Sequence, residues 1–294
     1  MKKKKIHAVI VTYNPDVDFL LLNVNNLLCC DSVNKIHIVD NTVGGSDLSV
    51  FNNSSVKLHV LGENRGIATA QNVGMRAAID EDADYIILFD QDSTLLPGLI
   101  SGLLIQMEHA KKIGLKIACI GPRPLDVFSR KIHKPLFQKE DVLCDGITIC
   151  KQIIASGKLI DTTVLSNIGL MDDGLFIDGV DHEWCWRARN NGYIVAISDN
   201  IIMEHKLGDA RGVFLGLKYK IGAPIRMYYQ FRNILILIRR GYVPMYWKVR
   251  NLIGVLFRLV IFGLFDKDRG LRREYMFRGI LDGFKNISGP YIKR

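Results

Sequence analysis

No Cys-x-x-Cys pair occurs among the six cysteines, Cys29, Cys30, Cys119, Cys144, Cys150 and Cys185. That excludes a zinc ribbon and a disulfide-stapled scaffold, and it fits a reducing compartment. Neither Gly-x-Gly-x-x-Gly nor Gly-x-x-x-x-Gly-Lys-Ser/Thr is found, which disfavours dinucleotide and P-loop chemistry. No apolar run is long enough to cross a bilayer: the most apolar segment, Asn251 to Phe265, is too short and carries Arg258 in its middle. At the start, "MKKKK" is followed by a short apolar run, Ile6 to Val11, that breaks into Thr-Tyr-Asn-Pro; it reads as a lysine tail before a strand, not as a signal peptide. Internal repeats and low-complexity tracts are also missing.

The last third lacks acid. Residues 206–294 hold 19 Lys and Arg against 5 Asp and Glu, whereas residues 1–205 hold 20 against 25, so the net charge of +9 belongs to the C-terminal region. A uniformly basic nucleic-acid binder would not be so divided, and no base-stacking platform is visible, so nucleic acid is not expected as a partner.

With 294 residues and 48% hydrophobic content, the chain can bury a large core. Short β-rich runs alternate with segments of helical spacing: "IHAVIVT", then "VDFLLLNVNNLLCC", "IHIVDN", "KLHVLG", "IATAQNVGMRAAID" and "YIILFD". This is the pattern of an α/β protein with a mostly parallel sheet, which binds ligands at the C-terminal ends of its strands. A helix ("GLISGLLIQMEHAKK") and a strand ("KIACIGPRP") follow; residues 125–145 have weak periodicity. Beyond residue 215, aromatic, basic and apolar residues at helical spacing predict a helical appendage.

Asp90 and Asp92 stand where the apolar run Tyr85 to Phe89 ends in a turn. Asp-x-Asp recurs elsewhere in the chain, and only this pair follows a buried strand. Two clustered carboxylates repel unless a cation or donor offsets them, and oxygen ligands suit Mg²⁺ or Mn²⁺ with phosphate oxygens completing the sphere. In "FIDGVDHEWCWRARNNGY", Asp181 reads as the N-cap of a short helix, with Glu183 in its first turn and Asn190-Asn191-Gly192 as its stop; a carboxylate there can also accept a hydroxyl proton. His205, just after an apolar strand, is either structural or one imidazole added to an oxygen-rich site. Thr12, Tyr13, Asn14, Asp40, Asn64 and Gly66 lie in strand-end turns with donors and acceptors suited to a nucleoside.

In this order, "VTYNP", "VDN", "ENRGIATAQNVG", "FDQDS", "ASGKLI", "FIDGVDHEWCWRARNNGY" and "HKLG" resemble the family-2 glycosyltransferases of the GT-A fold, over residues 6 to about 240. Within that family, "FIDGVDHEWCWRA" and "YYQFRNILILIRRGY" are most similar to bacterial rhamnosyltransferases that use dTDP-β-L-rhamnose in O-antigen or related polysaccharide synthesis. The resemblance implies a nucleotide-diphospho-sugar transferase fold, Rossmann-like, with a catalytic domain over 1–215. Its nucleotide-sugar half would be about 6–95 and its acceptor half about 96–215, with a basic amphipathic region at 216–294. It implies that Thr12, Tyr13, Asn14, Asp40, Asn64, Gly66, Asp90 and Gln91 hold the donor, that Asp92 and His205 reach the metal, and that Ser156 and Gly157 line the sugar pocket. Asp181 would be the catalytic base, with Glu183 and Trp184 shaping the acceptor side. Many relatives carry an acid before the "FID" segment, where this chain has Asp172-Asp173-Gly174, so neither Asp receives a role. The implied reaction is inverting transfer of rhamnose to a polyprenyl-diphosphate-linked saccharide by an enzyme at the inner face of the cytoplasmic membrane, held there by its C-terminal helices, with a homodimer as a further expectation. The rivals are the same fold using a UDP-sugar, a non-catalytic nucleotide-sugar sensor, and a sugar-1-phosphate nucleotidyltransferase. The last should carry a Gly-rich loop where this chain has Tyr13-Asn14-Pro15.

Overall fold

The computed structural model describes residues 3–51, 53–126, 141–144, 146–205, 210–214, 217–266 and 268–293. In chain order it contains β1 (Ile6–Thr12), α1 (Val17–Leu28), β2 (Val33–Asp40), β3 (Val56–Val60), α2 (Gly66–Asp80), β4 (Tyr85–Asp90), α3 (Leu99–Lys112), β5 (Ile117–Asp126), β6 (Asp141–Cys144), β7 (Ile147–Ile149), β8 (Lys158–Asp161), α4 (Leu165–Ile168), α5 (Val180–Asn190), β9 (Ile194–His205), β10 (Ala210–Phe214), β11 (Leu217–Ile221), α6 (Ile225–Ile238), α7 (Met245–Val260) and α8 (Arg269–Phe284).

Nine strands form one sheet in the order β3-β2-β1-β4-β8-β5-β9-β7-β6, and β10 and β11 make a separate antiparallel pair. From β3 to β4 every pairing is parallel. β8 is then inserted antiparallel between β4 and β5, opposing Leu88 with Lys158, and β5 pairs parallel with β9. The period of two along β4 sorts its side chains onto two cores. Ile86 and Leu88 face the core containing α2 and α5, while Tyr85, Ile87 and Phe89 face the core containing α1 and α3. Both faces of the strand are buried, which is why it reads as a continuous apolar run ending at its first acid.

α6 is not hung outside the catalytic core. Ile234, Ile236 and Leu237 share a hydrophobic cluster with Trp184 and Trp186 of α5, and Val243 and Trp247 extend it into α7. Fully buried Asn233 donates to the carbonyls of Leu175 (2.9 Å), Ile177 (2.7 Å) and Asp178 (3.0 Å), which fixes the segment leading into α5. The expected appendage is therefore built into the domain at α6, and only the outer face of α7, and parts of α8, remain uncovered. No helix among the described residues is long and apolar enough to cross a membrane.

Candidate active site

The strand ends bring together groups far apart in sequence. Gly157 donates to the Leu88 carbonyl (2.8 Å), and Ser156 lies wholly buried beneath the end of β4, where its hydroxyl accepts from the Asp90 amide (3.4 Å) and meets that of Ser93. Gly157 has φ +78°, and a Cβ there would stand 2.7 Å from Pro122 Cγ, so this turn admits little but glycine. Ser156 and Gly157 thus form the floor under Asp90.

Lys158 follows, wholly buried, with Nζ 3.3 Å from the Asp181 carbonyl oxygen and 5.6 Å from the centre of the Trp184 ring. Burial alone would pull its ammonium down, but the surrounding Cys185, Cys119 and Asp181 outweigh it and raise its pKa. Asp90 is pushed up to about 7 by burial first, then by the charges of Asp92 and Asp181, with Lys158 acting in the opposite sense. The three acids and one buried cation therefore share one electrostatic neighbourhood. Asp92 is exposed and Asp181 half-buried, so both carboxylates are open to a ligand.

Asp181 is not the helix cap that the sequence predicts. The cap position belongs to Gly179 at φ +88°, whose left-handed turn feeds the chain into α5, and Asp181 falls in the first helical turn. Among the described residues its carboxylate accepts only the neighbouring His182 amide (3.0 Å), with His182 Nε2 3.9 Å away. A carboxylate freed from capping has lone pairs left for chemistry.

The nucleoside-side residues divide. Tyr13 and Asn14 are exposed, and Gln91 clamps the Tyr13 backbone at both ends, accepting from its amide (2.7 Å) and donating to its carbonyl (3.1 Å). Thr12 and Asp40 are buried. The Asp40 carboxylate takes hydrogen bonds from the Thr12 hydroxyl (3.2 Å), the Thr42 amide (3.2 Å) and the Ser46 amide (2.5 Å). Burial raises its pKa, and the donors from Thr42, Ser46 and Thr12 more than reverse this and lower it. Asn64 receives a bond from Asn41 Nδ2 (3.0 Å) and another from the Gly66 amide (3.0 Å). Gly66 has φ +83°, and a Cβ would stand 2.6 Å from the Phe176 ring. Asp40, Asn64 and Gly66 thus shape the rim from within.

Glu183 and Trp184 do not face an acceptor. Glu183 is buried, gripped by both Nε and Nη2 of Arg187 (2.9 Å each), with Arg240 at 3.2 Å and the Tyr242 hydroxyl donating to it. Trp184 is wholly buried and donates to the Gly169 carbonyl (2.9 Å). Both side chains are turned into the core, Glu183 to its ion pairs and Trp184 to the hydrophobic cluster of α5 and α6. Asp172 pairs with Arg240 and Asp173 accepts from Asn72 (2.6 Å), so these two acids lock the loop before α5. His205 closes β9 opposite Asp126 of β5, and its side chain lies outside the described residues. Lys158 is the residue that sequence reasoning missed, although its neighbours in "ASGKLI" were singled out.

Among the described residues a further set close enough to share an ion is His7, His37 and Glu81. It sits at the α2 face of β1 and β2, where His7 Nδ1 is 3.1 Å from His37 Nε2 and His37 Nδ1 is 3.2 Å from His59 Nε2. Lys35 (2.7 Å) and Lys57 (3.2 Å) already neutralise Glu81, so this ladder of imidazoles reads as structural.

No family model matches the chain. The dTDP-rhamnosyl transferase RfbF of Shigella flexneri is 35% identical over 298 residues, spanning 97% of each chain. The chain belongs to the family-2 glycosyltransferases. Solved structures agree on the GT-A fold. TarS of S. aureus in complex with UDP-GlcNAc superposes on this glycosyltransferase with TM-score 0.61 at 14% identity, over 96% of this chain and 81% of TarS. GalNAc-T7 with UDP, GalNAc and Mn²⁺ gives 0.60 at 13%, over 97% and 57%. The mannosyltransferase PcManGT of Pyrobaculum calidifontis with GDP-Man and Mn²⁺ gives 0.52 at 10%, over 96% and 87%. The sensor and nucleotidyltransferase readings fall with this membership.

Proposed function

We propose that this glycosyltransferase moves L-rhamnose from dTDP-β-L-rhamnose to a hydroxyl of a lipid-linked saccharide, with inversion. The observation that carries the mechanism is the convergence of Asp92, Asp181 and buried Lys158 on Asp90, where β4 ends beside the start of β8. The dTDP-rhamnosyl name of the relative supports the donor.

The donor set suits Mg²⁺ or Mn²⁺: among the described residues it offers carboxylate oxygens, with Asp92 open to solvent and Asp90 pushed up in pKa by burial first and then by the neighbouring acids, whose repulsion a cation relieves. When bound through Asp92, with Asp90 beside it, such an ion supplies positive charge to the donor's diphosphate. The chain's own residues do the rest. Tyr13, held by Gln91, borders the nucleoside; the Ser156-Gly157 floor sets the height of Asp90. The acceptor hydroxyl gives its proton to the Asp181 carboxylate as its oxygen bonds to the anomeric carbon and the bond to the nucleoside diphosphate breaks. Single displacement inverts that carbon.

The enzyme would work on the inner face of the cytoplasmic membrane. Along α7 and the turn after it, Val249, Leu252, Ile253, Leu256, Val260 and Leu264 are exposed at helical spacing, beside exposed Arg250, Arg269 and Arg273. An apolar stripe with cationic flanks is suited to lying in an anionic membrane interface. Leu256→Glu combined with Val260→Glu is expected to abolish binding to phosphatidylglycerol vesicles. If instead vesicle binding persists and a dimer in solution dissociates, the stripe is a homodimer face.

The donor test is calorimetric titration with nucleotide sugars, with and without Mn²⁺. Metal-dependent binding of dTDP-rhamnose in preference to UDP-sugars, lost in Asp92→Asn, is the expected result. Preference for a UDP-sugar, the reading that the TarS likeness favours, would discard rhamnose and keep the mechanism.

A further inference from the structure

Next to Asp181 the protein carries a cleft of about 590 Å³ between the entry to α5, α6 and α7. Its lining includes Asp178 and His182 on one side and Arg250, Asn251, Phe257 and Arg258 on the other. His182 Nε2 stands 3.9 Å from the carboxylate of Asp181, the proposed base, so the cleft adjoins the reacting position. Two groups in this lining are anomalous. Arg258 Nη1 is buried with no hydrogen-bond partner among the described residues, and Asp178 Oδ2 is in the same condition although its Oδ1 accepts from Arg226 (2.7 Å). The Arg258 guanidinium is folded back over Gly254, where a Cβ would meet it at 3.6–3.7 Å. Burial and the nearby charge of Arg250 lower its pKa, with Asp178 opposing them. An unpaired, partly desolvated guanidinium is costly in a folded protein unless a ligand completes it. Beyond the arginines the cleft's lip is apolar: Ile253 and Phe257 are exposed, and they belong to the stripe that continues through Leu256 and Val260.

We propose that this cleft is the acceptor subsite, in which Arg258 and Arg250 hold the phosphate or diphosphate of a lipid-linked acceptor. Guanidinium forks match phosphate oxygens, and no other side chain type does so as well in a half-buried site. The hydrocarbon chain leaves over Ile253 and Phe257 to the stripe and the membrane, while the saccharide end lies toward Asp181. Asp178 Oδ2, otherwise orphaned, accepts a hydroxyl of the sugar. The assignment rests on the transfer to a lipid-linked acceptor proposed above. It adds the residues that recognise that acceptor and the reason they lie on the helix that touches lipid.

The probe is geranyl diphosphate, titrated in EDTA with dTDP present, so that the donor site does not take up its diphosphate. Arg258→Gln and Arg250→Gln should each weaken binding by about tenfold or more, and Arg258→Lys should restore part of it. Affinity for dTDP-rhamnose with Mn²⁺ should not change. If the donor fails to bind the wild-type enzyme, the donor reading falls while the geranyl diphosphate result stands on its own. Binding of geranyl diphosphate that ignores both substitutions overturns the subsite. So does a wild type that fails to bind geranyl diphosphate yet loses phosphatidylglycerol vesicles on either substitution, since the anion would then be a lipid headgroup. The unliganded Tm of Arg258→Gln should be unchanged or higher, because the substitution removes a partly desolvated guanidinium whose buried Nη1 has no partner among the described residues. A marked fall would make Arg258 structural and overturn the proposal as well.

Discussion

At the scale of single residues, chemistry depends on which carboxylates are left free. Asp40 and Glu183 are saturated by their own chain, whereas Asp92 and Asp181 are not. Asp181→Asn should therefore keep donor affinity and lower kcat by about 10²–10⁴-fold, the usual worth of a positioned general base; calorimetry and a radiolabelled-sugar transfer assay separate the two. Lys158→Met removes the buried cation that Asp90 and Asp181 share. The ionised form of Asp90, which Lys158 favours, is then less favoured, so the acid limb of the pH profile for Mn²⁺-dependent donor binding should move upward by about one pH unit, with circular dichroism reporting that the fold persists. An unmoved limb would make Lys158 a packing residue. Asp90 and Asp92 were legible in the sequence because an apolar run of strand length ends on them. Lys158 was not, since its burial depends on a strand inserted between partners about 70 residues before it and 40 residues before it. Glu183 and Trp184 were misread for a related reason: their helix was legible, but the face it turns inward is set by α6 and Tyr242, which lie some 50 residues on.

At the scale of elements, the surprise is α6. Its aromatic and basic composition suggested an appendage, yet Asn233 spends its amide on three carbonyls of the segment that aims Asp181. Asn233→Ala removes the side-chain donor to the carbonyls of Ile177 and Asp178, and one of those to Leu175, and should cost about 2 kcal/mol, seen as a lower urea midpoint. It should also lower kcat, because the approach to α5 is no longer fixed. The helical period was readable along residues 225–238, but composition alone does not tell a helix that packs on the core from one that packs on lipid. The distinction lies in polar groups such as Asn233 and Arg232, which find partners only in the folded chain; Arg232 donates to the carbonyls of Gly174 and Leu175 (3.0 Å each). α7 is the contrasting case, since its outward apolar positions have none.

At the scale of the whole molecule, pH acts through the histidine ladder. Burial first, then His7, lowers His37 to about 4, and burial also lowers His7 and His59, with Lys5, Lys35 and Lys57 adding to the effect and Glu81 opposing it. A depressed folded-state pKa means that the unfolded chain binds more protons below about 6.5, so this stabilisation is complete above that value and is lost as pH falls toward 4. Asp90 has the opposite slope, because its raised pKa favours proton uptake by the folded state below about 7. The comparison is therefore between wild type and His37→Gln: Tm should fall more steeply from pH 6.5 to 4 in the wild type, and parallel curves would remove the ladder from the explanation. The alternation of strands and helices made the sheet legible, while its strand order was not, since β8 pairs with neighbours by a reversal that local periodicity does not encode. That reversal bears on how the protein is made. A ribosome delivers β4 and β5 well before β8, so both carry unsatisfied edges until residues 158–161 emerge between them. Such edges invite pairing with other chains, so synthesis at high rate should favour aggregates, and donor binding should return only with the slowest refolding phase.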